Sequence, residues 1–518
     1  MLPVTVLPGI LKPFHVMADN NGLLNSLLQM GLDDRVLVVI FLNGGNDGLN
    51  TVIPIDQYAN LSAARSNILI NQQKVLGLNG YTNTGLHPAM QGFQKLFNEN
   101  KLQIIQSVGY PNPNFSHFRS TDIWTSASDS NEIISTGWIG RFLDSQFPGF
   151  PQGYPNQTMP DPLSIQIGAS LPLMYQSNNA NLSMVVSSPA IFNNTFNEQQ
   201  NPAPTSPAGD ELSYLRLIAS QTKSYAKAIM GAYSKVTNQY GGYPVQGKNP
   251  LADILKVIAR LIKGGLKTKV YSVSLGGFDT HSSQAETGTP EAGTHAALLG
   301  ILSEAITAFQ ADMEFLSLDQ RVLGMTFSEF GRRIRSNASM GTDHGAAGPL
   351  FLFGSSVKGG ILGNNPMIPK TVSFDDNLPM QYDFRNVYAT VLKDWFCLDQ
   401  TDVDSIMMKN YASLPILNST CSAQTDIKKI EDLIDFNAYP NPFVDHVEAR
   451  YRGIVGDISL SLFDALGRRV EVIEKRNNQL QQEYQFRINT GHLANGNYYL
   501  RMENGPVQKT LLVSKVSG

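Results

Sequence analysis

The sequence predicts an α/β domain, a mostly parallel sheet flanked by helices, followed by a small all-β immunoglobulin-like sandwich. Three observations predict it. Four apolar, β-branched-rich runs, 36–42, 102–108, 269–275 and 321–327, each end in a polar cluster, as buried parallel strands running into loops do. Between the last two runs, Leu298, Leu299, Leu302, Ile306, Phe309 and Met313 recur at helical spacing over 294–316. Beyond Cys421 the pattern changes to short alternating segments separated by turn residues.

Strand, helix and strand over 269–327 form a βαβ unit, which puts both strand ends on one edge of a parallel sheet. Residues 349–353 add a short strand, and 383–397 read as a helix. The stretch from Pro148 to Pro207, rich in Pro, Asn, Gln and Ser, reads as an elaborated loop that roofs the pocket or sets specificity. Six alternating segments in the tail, 447–451, 458–463, 469–473, 485–488, 497–503 and 508–513, predict the sandwich, with Asp464–Gly467 and Asn495-Gly496 as turns. The division expected is therefore an N-terminal segment (1–35), the α/β domain (36–421), a charged linker (422–435) and the sandwich (436–518).

Composition bounds the partners. Charged residues are 16% of 518, below the usual quarter or so, and Gly numbers 44, which suits a loop-rich secreted protein. A net charge of −4 without a basic block argues against nucleic acid. No apolar run reaches the roughly 18 residues of a membrane span. Met1 to Val16 is apolar but interrupted by Pro3, Pro8 and Pro13 and has no basic start, so it does not read as a signal peptide. Cys397 and Cys421 leave two readings open, one disulfide or two buried thiols.

The chemistry lies in the clusters at the strand ends, because loops after strands converge on one crevice in such folds. Asp279-x-His281 follows a strand, and alternate residues of an extended segment share a face, so the pair can hold one ion. Ser116 follows a strand and loop and opens a helix, where the dipole and free N–H groups favour an oxyanion; an N-cap uses the same geometry. Arg119 and Arg332 suit a bidentate grip on phosphate or sulfate, or equally a salt bridge.

The tail resembles the type A sorting domain of the type IX secretion system of Bacteroidetes. Tyr439-Pro-Asn-Pro-Phe443, Leu462-Phe-Asp464, Gly467-Arg-Arg-Val470, Gly496-Asn-Tyr-Tyr-Leu500 and the Lys509–Lys515 stretch carry that resemblance. It implies export through the periplasm and outer membrane by the type IX machinery, to the cell surface or beyond.

Residues 33–418 resemble the domain-of-unknown-function-1501 family, a sulfatase-like branch of the alkaline phosphatase superfamily. GGNDGLNT (44–51), Leu86-His-Pro-Ala-Met90, FSHFRSTDIW (115–124), Gly137-Trp-Ile-Gly140, GGFDTH (276–281), MTFSEFGRR (325–333) and GTDHGAAGPLF (341–351) carry it in order. The resemblance implies a nucleophile, Ser116, and divalent metals held by Asp and His. Position by position, it offers Asn43 or Asp47, Asp279, His281, Glu329, Asp343 and His344 as ligands. Glu329 stands where the family pattern has Asp, Phe330 where it has His, and Asn43 where it has Asp. Asn is a weak zinc ligand but serves Ca²⁺, so Zn²⁺, Ca²⁺ and Mg²⁺ all remain open. No Cys-x-Pro-x-Arg or Ser-x-Pro-x-Arg element supports a formylglycine route.

Two functions follow as expectations. One is a secreted metal-dependent hydrolase of phosphate or sulfate esters, with Ser116 attacking and Arg119 and Arg332 stabilising charge. The other is a surface binding or assembly protein, for a glycan or polymer, on a degenerate form of the same fold.

Overall fold

The structure, a computed structural model, describes residues 34–168, 172–186, 207–418, 421, 436–452, 456–464, 468–478, 483–504 and 507–517. The N-terminal segment up to residue 33, the linker 422–435 and turn residues 465–467 lie outside the described residues. The chain divides into two compact units, Asp34–Thr420 and one that includes Cys421–Gly518.

In the first unit the strands that matter are β1 (Val36–Asn43), β2 (Leu102–Gly109), β3 (Ser164–Ile167), β4 (Ser183–Val186), β5 (Val270–Gly276) and β6 (Val322–Phe327). They are followed by β7 (Arg332–Ser336), β8 (Thr342–His344), β9 (Gly348–Phe353), β10 (Gly360–Leu362) and β11 (Tyr382–Asp383). The main sheet runs β10-β2-β9-β6-β1-β5-β3-β4, with β11 also on β2. Strands β5, β1 and β6 are parallel neighbours, and β9 alone runs antiparallel, between β2 and β6. The four predicted strands and the intervening helix form where their patterns place them. The Pro148–Pro207 stretch, expected as loop, contributes β3 and β4 to the sheet edge. Short Ser-Ile-Gln-Ile and Ser-Met-Val-Val runs suffice for parallel pairing there.

Strand β1 explains the layering. Its successive side chains point to opposite faces, and both faces are covered, so the run is apolar throughout. Leu37, Val39 and Phe41 join one core with Trp124, Trp138, Tyr388 and Trp395. Val38, Ile40 and Leu42 join the other with Leu299, Leu302, Ile306 and Phe309. Each such side chain contributes roughly 1.5–3 kcal/mol by burial. The second core is built on α1 (Pro250–Lys263) and α2 (Thr294–Phe315). Asn249 caps α1 through the Ala252 N–H, with Pro250 at its first turn. Helix α2 is the one described helix long and apolar enough to cross a membrane, but most of that window is buried inside the fold.

Both Cys397 and Cys421 are disulfide-bonded, which decides between the two readings left open by the sequence.

The second unit is a sandwich of β12 (Phe436–Tyr439), β13 (His446–Arg452) and β16 (Glu483–Asn489) in one sheet. The other holds β14 (Gly456–Asp464), β15 (Arg469–Asn478), β17 (Gly496–Asn504) and β18 (Val507–Lys515). Alternate residues face inward: Leu460 and Leu462 of β14 and Leu500 and Met502 of β17 meet Phe436, Val447 and Ile488.

Candidate metal centre

Parallel pairing aligns the ends of β1 and β5, with Asn43 opposite Gly276, and sets Phe41 of β1 opposite Phe327 of β6. The loops that follow therefore start side by side. They are then drawn closer than side chains allow. Gly44 has φ +124°, and a Cβ there would lie 2.2 Å from the Asp279 backbone nitrogen. A Cβ on Gly341 would lie 2.3 Å from the His281 carbonyl oxygen. The Gly44 N–H donates to both Glu329 oxygens, at 2.9 and 3.2 Å. The glycine-rich motifs thus knit the loops after β1, β5 and β6 and the β7–β8 hairpin into one rim.

Three imidazoles meet at that rim around Asp279. His344 Nδ1 lies 2.8 Å from the Phe115 carbonyl oxygen. A carbonyl can only accept, so Nδ1 carries the proton and Nε2 presents a lone pair. His281 Nδ1 lies 3.0 Å from Asp343 Oδ1, and His117 Nδ1 lies 2.7 Å from Glu329 Oε1, so each donates to a carboxylate. The Nε2 atoms of His281 and His344 lie 3.1 and 3.2 Å from Asp279 Oδ1, and that of His117 lies 3.5 Å from Oδ2. His281 Nε2 and His344 Nε2 are only 2.9 Å apart. Two lone pairs at that distance repel unless a cation stands between them.

The arrangement fits a metal ion. Tetrahedral zinc, with bonds of about 2.0–2.1 Å, sets its ligands roughly 3.3 Å apart. The His281–His344 spacing of 2.9 Å and the imidazole–Asp279 spacings of 3.1–3.5 Å, two to Oδ1 and one to Oδ2, are of that size. The ligand atoms of His117, Asp279 and His344 all lie within 4.8 Å of one another. Each imidazole has its far nitrogen held by a carbonyl or carboxylate, the backing that fixes metal-binding histidines. Phe330, buried, tilts against His117 and His344 with centroids 4.9 and 4.5 Å away and forms an apolar floor.

Electrostatics favour the ligating forms. Burial pushes the Asp279 carboxyl up, but the hydrogen bond and charge of Arg332, with the neighbouring imidazoles, outweigh it and bring it down to about 2. Burial lowers the His344 pKa, beyond what its bonds to Phe115 and Asp279 restore. Asp343 is likewise lowered, burial opposing and the His281 hydrogen bond prevailing.

The other residues singled out by the sequence divide clearly. Glu329, fully buried, and Asp343 stand behind His117 and His281 and orient them instead of facing the convergence point. Asp47 is away from it: its carboxylate is fully buried, 2.8 Å from Arg65 Nη1 and 2.6 Å from Gln284 Nε2. No hydrogen bond among the described residues links the Asn43 side chain to the converging groups. Arg332 is no anion clamp. Its guanidinium donates to Gly45, Thr342 and Phe278 carbonyls, at 2.7, 2.7 and 3.1 Å, and to the Gly44 carbonyl, and holds Asp279 Oδ1 at 2.8 Å. Arg119 donates to the carbonyls of Asp129, Ser130 and Glu132, so it braces that loop.

Ser116 is the N-cap residue of the helix His117–Ser126, but its side chain makes no capping bond. Its own N–H donates to Asn114 Oδ1 at 2.8 Å. The simple capping role is therefore not what this hydroxyl does. Ser116 lies between Phe115, which touches His344, and His117, so it borders the cluster. Among the described residues no hydrogen bond engages the N–H groups of His117, Phe118 and Arg119. His117 is the converging imidazole that the sequence analysis did not single out. Its first-turn position beside Ser116 was the available signal.

The fold and this site define an α/β protein with a histidine–aspartate centre at the carboxyl ends of its strands. The family model described as "Protein of unknown function (DUF1501)" matches residues 106–407, and the chain belongs to that family. Residues 437–514 match the "Secretion system C-terminal sorting domain", which marks a secreted or cell-surface protein addressed to the type IX machinery. No curated protein matches the chain. Solved structures similar to it include Ps i-CgsB in complex with k-i-k-neocarrahexaose, at 9% identity over 87% of this chain and 86% of that one, TM-score 0.32. A protein in the alkaline phosphatase superfamily from Vibrio parahaemolyticus shares 11% over 92% and 79%, TM-score 0.32. PsFucS1 sulfatase from Pseudoalteromonas sp. shares 8% over 96% and 88%, TM-score 0.31. Likeness at such scores does not bear on function, which rests on the side chains above.

Proposed function

We propose that this protein is a metal-dependent hydrolase of phosphate or sulfate esters, exported through the periplasm and outer membrane by the type IX system. The observation that carries the reading is the approach of His117, His344 and Asp279, their ligand atoms all within 4.8 Å of one another, with His281 Nε2 2.9 Å from His344 Nε2. A donor set of imidazole nitrogens with one carboxylate suits a borderline ion such as Zn²⁺ better than Ca²⁺ or Mg²⁺, which prefer oxygen. When bound, such an ion would polarise an ester oxygen and acidify a neighbouring hydroxyl. Ser116 then supplies the nucleophile: its hydroxyl is released from capping and stands at the helix start. The first-turn N–H groups of His117, Phe118 and Arg119 receive the oxygens on which negative charge grows. Arg332 holds Asp279 in its ionised form and in place.

The test is a panel of aryl phosphates and sulfates on the zinc-loaded full-length chain and its Ser116→Ala variant. Turnover should drop by about 10³-fold or more with metal content unchanged; activity indifferent to the substitution removes Ser116 from the mechanism.

A second reading, a surface binding or assembly protein without turnover, is favoured by one observation: Arg119 and Arg332 are both spent on backbone carbonyls. Anion binding without hydrolysis of any ester in the panel would establish it.

A further inference from the structure

The same spent arginines bear on which ester the centre accepts. This step rests on the reading of the site as an ester-binding metal centre, and it deepens that reading.

The charges in contact with the ligand set can be counted. Asp279 is a ligand, and Asp343 and Glu329 receive the Nδ1 protons of His281 and His117. Against these three carboxylates stands one guanidinium, Arg332, bonded to Asp279. The set carries two negative charges, which one divalent cation cancels. Arg333, the next guanidinium along, is held by the His344 and Phe374 carbonyls and paired with the Asp375 carboxylate. Arg119 faces the carbonyls of residues 129–132. The loaded centre is therefore close to neutral, and beyond the ion its donors to an incoming oxyanion are backbone N–H groups.

Neutrality discriminates by charge. The cost of stripping water from an anion grows more steeply than its charge, whereas the carboxylates behind the imidazoles repel each added charge. A phosphate monoester brings two charges at neutral pH and above; a sulfate monoester or a phosphodiester brings one. We propose that the centre selects tetrahedral esters carrying a single negative charge, sulfate monoesters or phosphodiesters, over phosphate monoesters.

Calorimetric titration of the zinc-loaded full-length protein with three small probes tests this without requiring turnover. Methyl sulfate and dimethyl phosphate are monoanions; methyl phosphate is a dianion at about pH 8, above its second ionisation. Methyl phosphate should bind at least about tenfold more weakly than the better monoanion. Which monoanion is the tighter one separates sulfate esters from phosphodiesters. The Asp343→Asn variant keeps an acceptor for His281 but removes one charge, and should narrow the gap to roughly threefold. Equal or tighter binding of methyl phosphate overturns the inference and leaves the hydrolase reading standing. Zinc-loaded protein that binds none of the three overturns both.

Discussion

The loop that leaves β1 and the loop that leaves β5 start opposite each other and carry an aspartate apiece to contrary fates. Asp47 is turned inward, fully buried against Arg65, with Gln284 as a further donor. Asp279 is turned outward, its side chain 48% exposed, held by a buried arginine and faced by three imidazoles. Each carboxyl is lowered, but Asp47 by a partner that fills its coordination and Asp279 by partners that leave its oxygens facing a common point. Both aspartates are held by a buried guanidinium, but only Asp279 is also faced by imidazoles and left open to solvent.

The contrast is broken most strongly by removing Arg65. Arg65→Ala strands the Asp47 charge in the interior and should cost about 3–5 kcal/mol in chemical denaturation. A loss within about 0.5 kcal/mol would show that the β1 loop does not depend on that pair.

Acid should act on the same inward network. Burial is the main cause that lowers the His295 pKa to about 4 and that of His87 to about 3, so the folded protein keeps both neutral. The unfolded chain takes up those protons below about 6.5, and in that window it binds more protons than the fold. Stability is therefore fully present above about pH 6.5 and lost as pH falls, by on the order of 2 kcal/mol for each histidine near pH 5. Thermal melts across that range, in wild type and in His295→Gln, check it; a variant as acid-sensitive as the wild type contradicts the assignment.

Much of the fold was legible because apolar runs report burial directly. Strands ending at Asn43, Gly276 and Phe327 and the helix between the last two follow from local pattern alone. Strands β3 and β4 escaped because short polar-spaced runs resemble loop. In the site, Asp279 and His281 could be read from strand-end spacing, His344 from the family resemblance, and the place of Ser116 from the helix that follows it. The rest depends on contacts between residues far apart in sequence. Arg65 lies 18 positions from Asp47 and claims it, while Glu329, which looks like a ligand by position, serves His117 from behind. The direction of Arg332 is set by four carbonyls on three separate segments, which no spacing rule reveals.

The most direct test of the outward half of the comparison is elemental analysis with X-ray absorption on the purified full-length chain, beside its Asp279→Asn variant. We predict about one zinc per chain with a nitrogen-rich shell at about 2.0–2.1 Å, lost in the variant while its fold persists. A shell of oxygen atoms only, or zinc retained in Asp279→Asn as tightly as in the wild type, would contradict it.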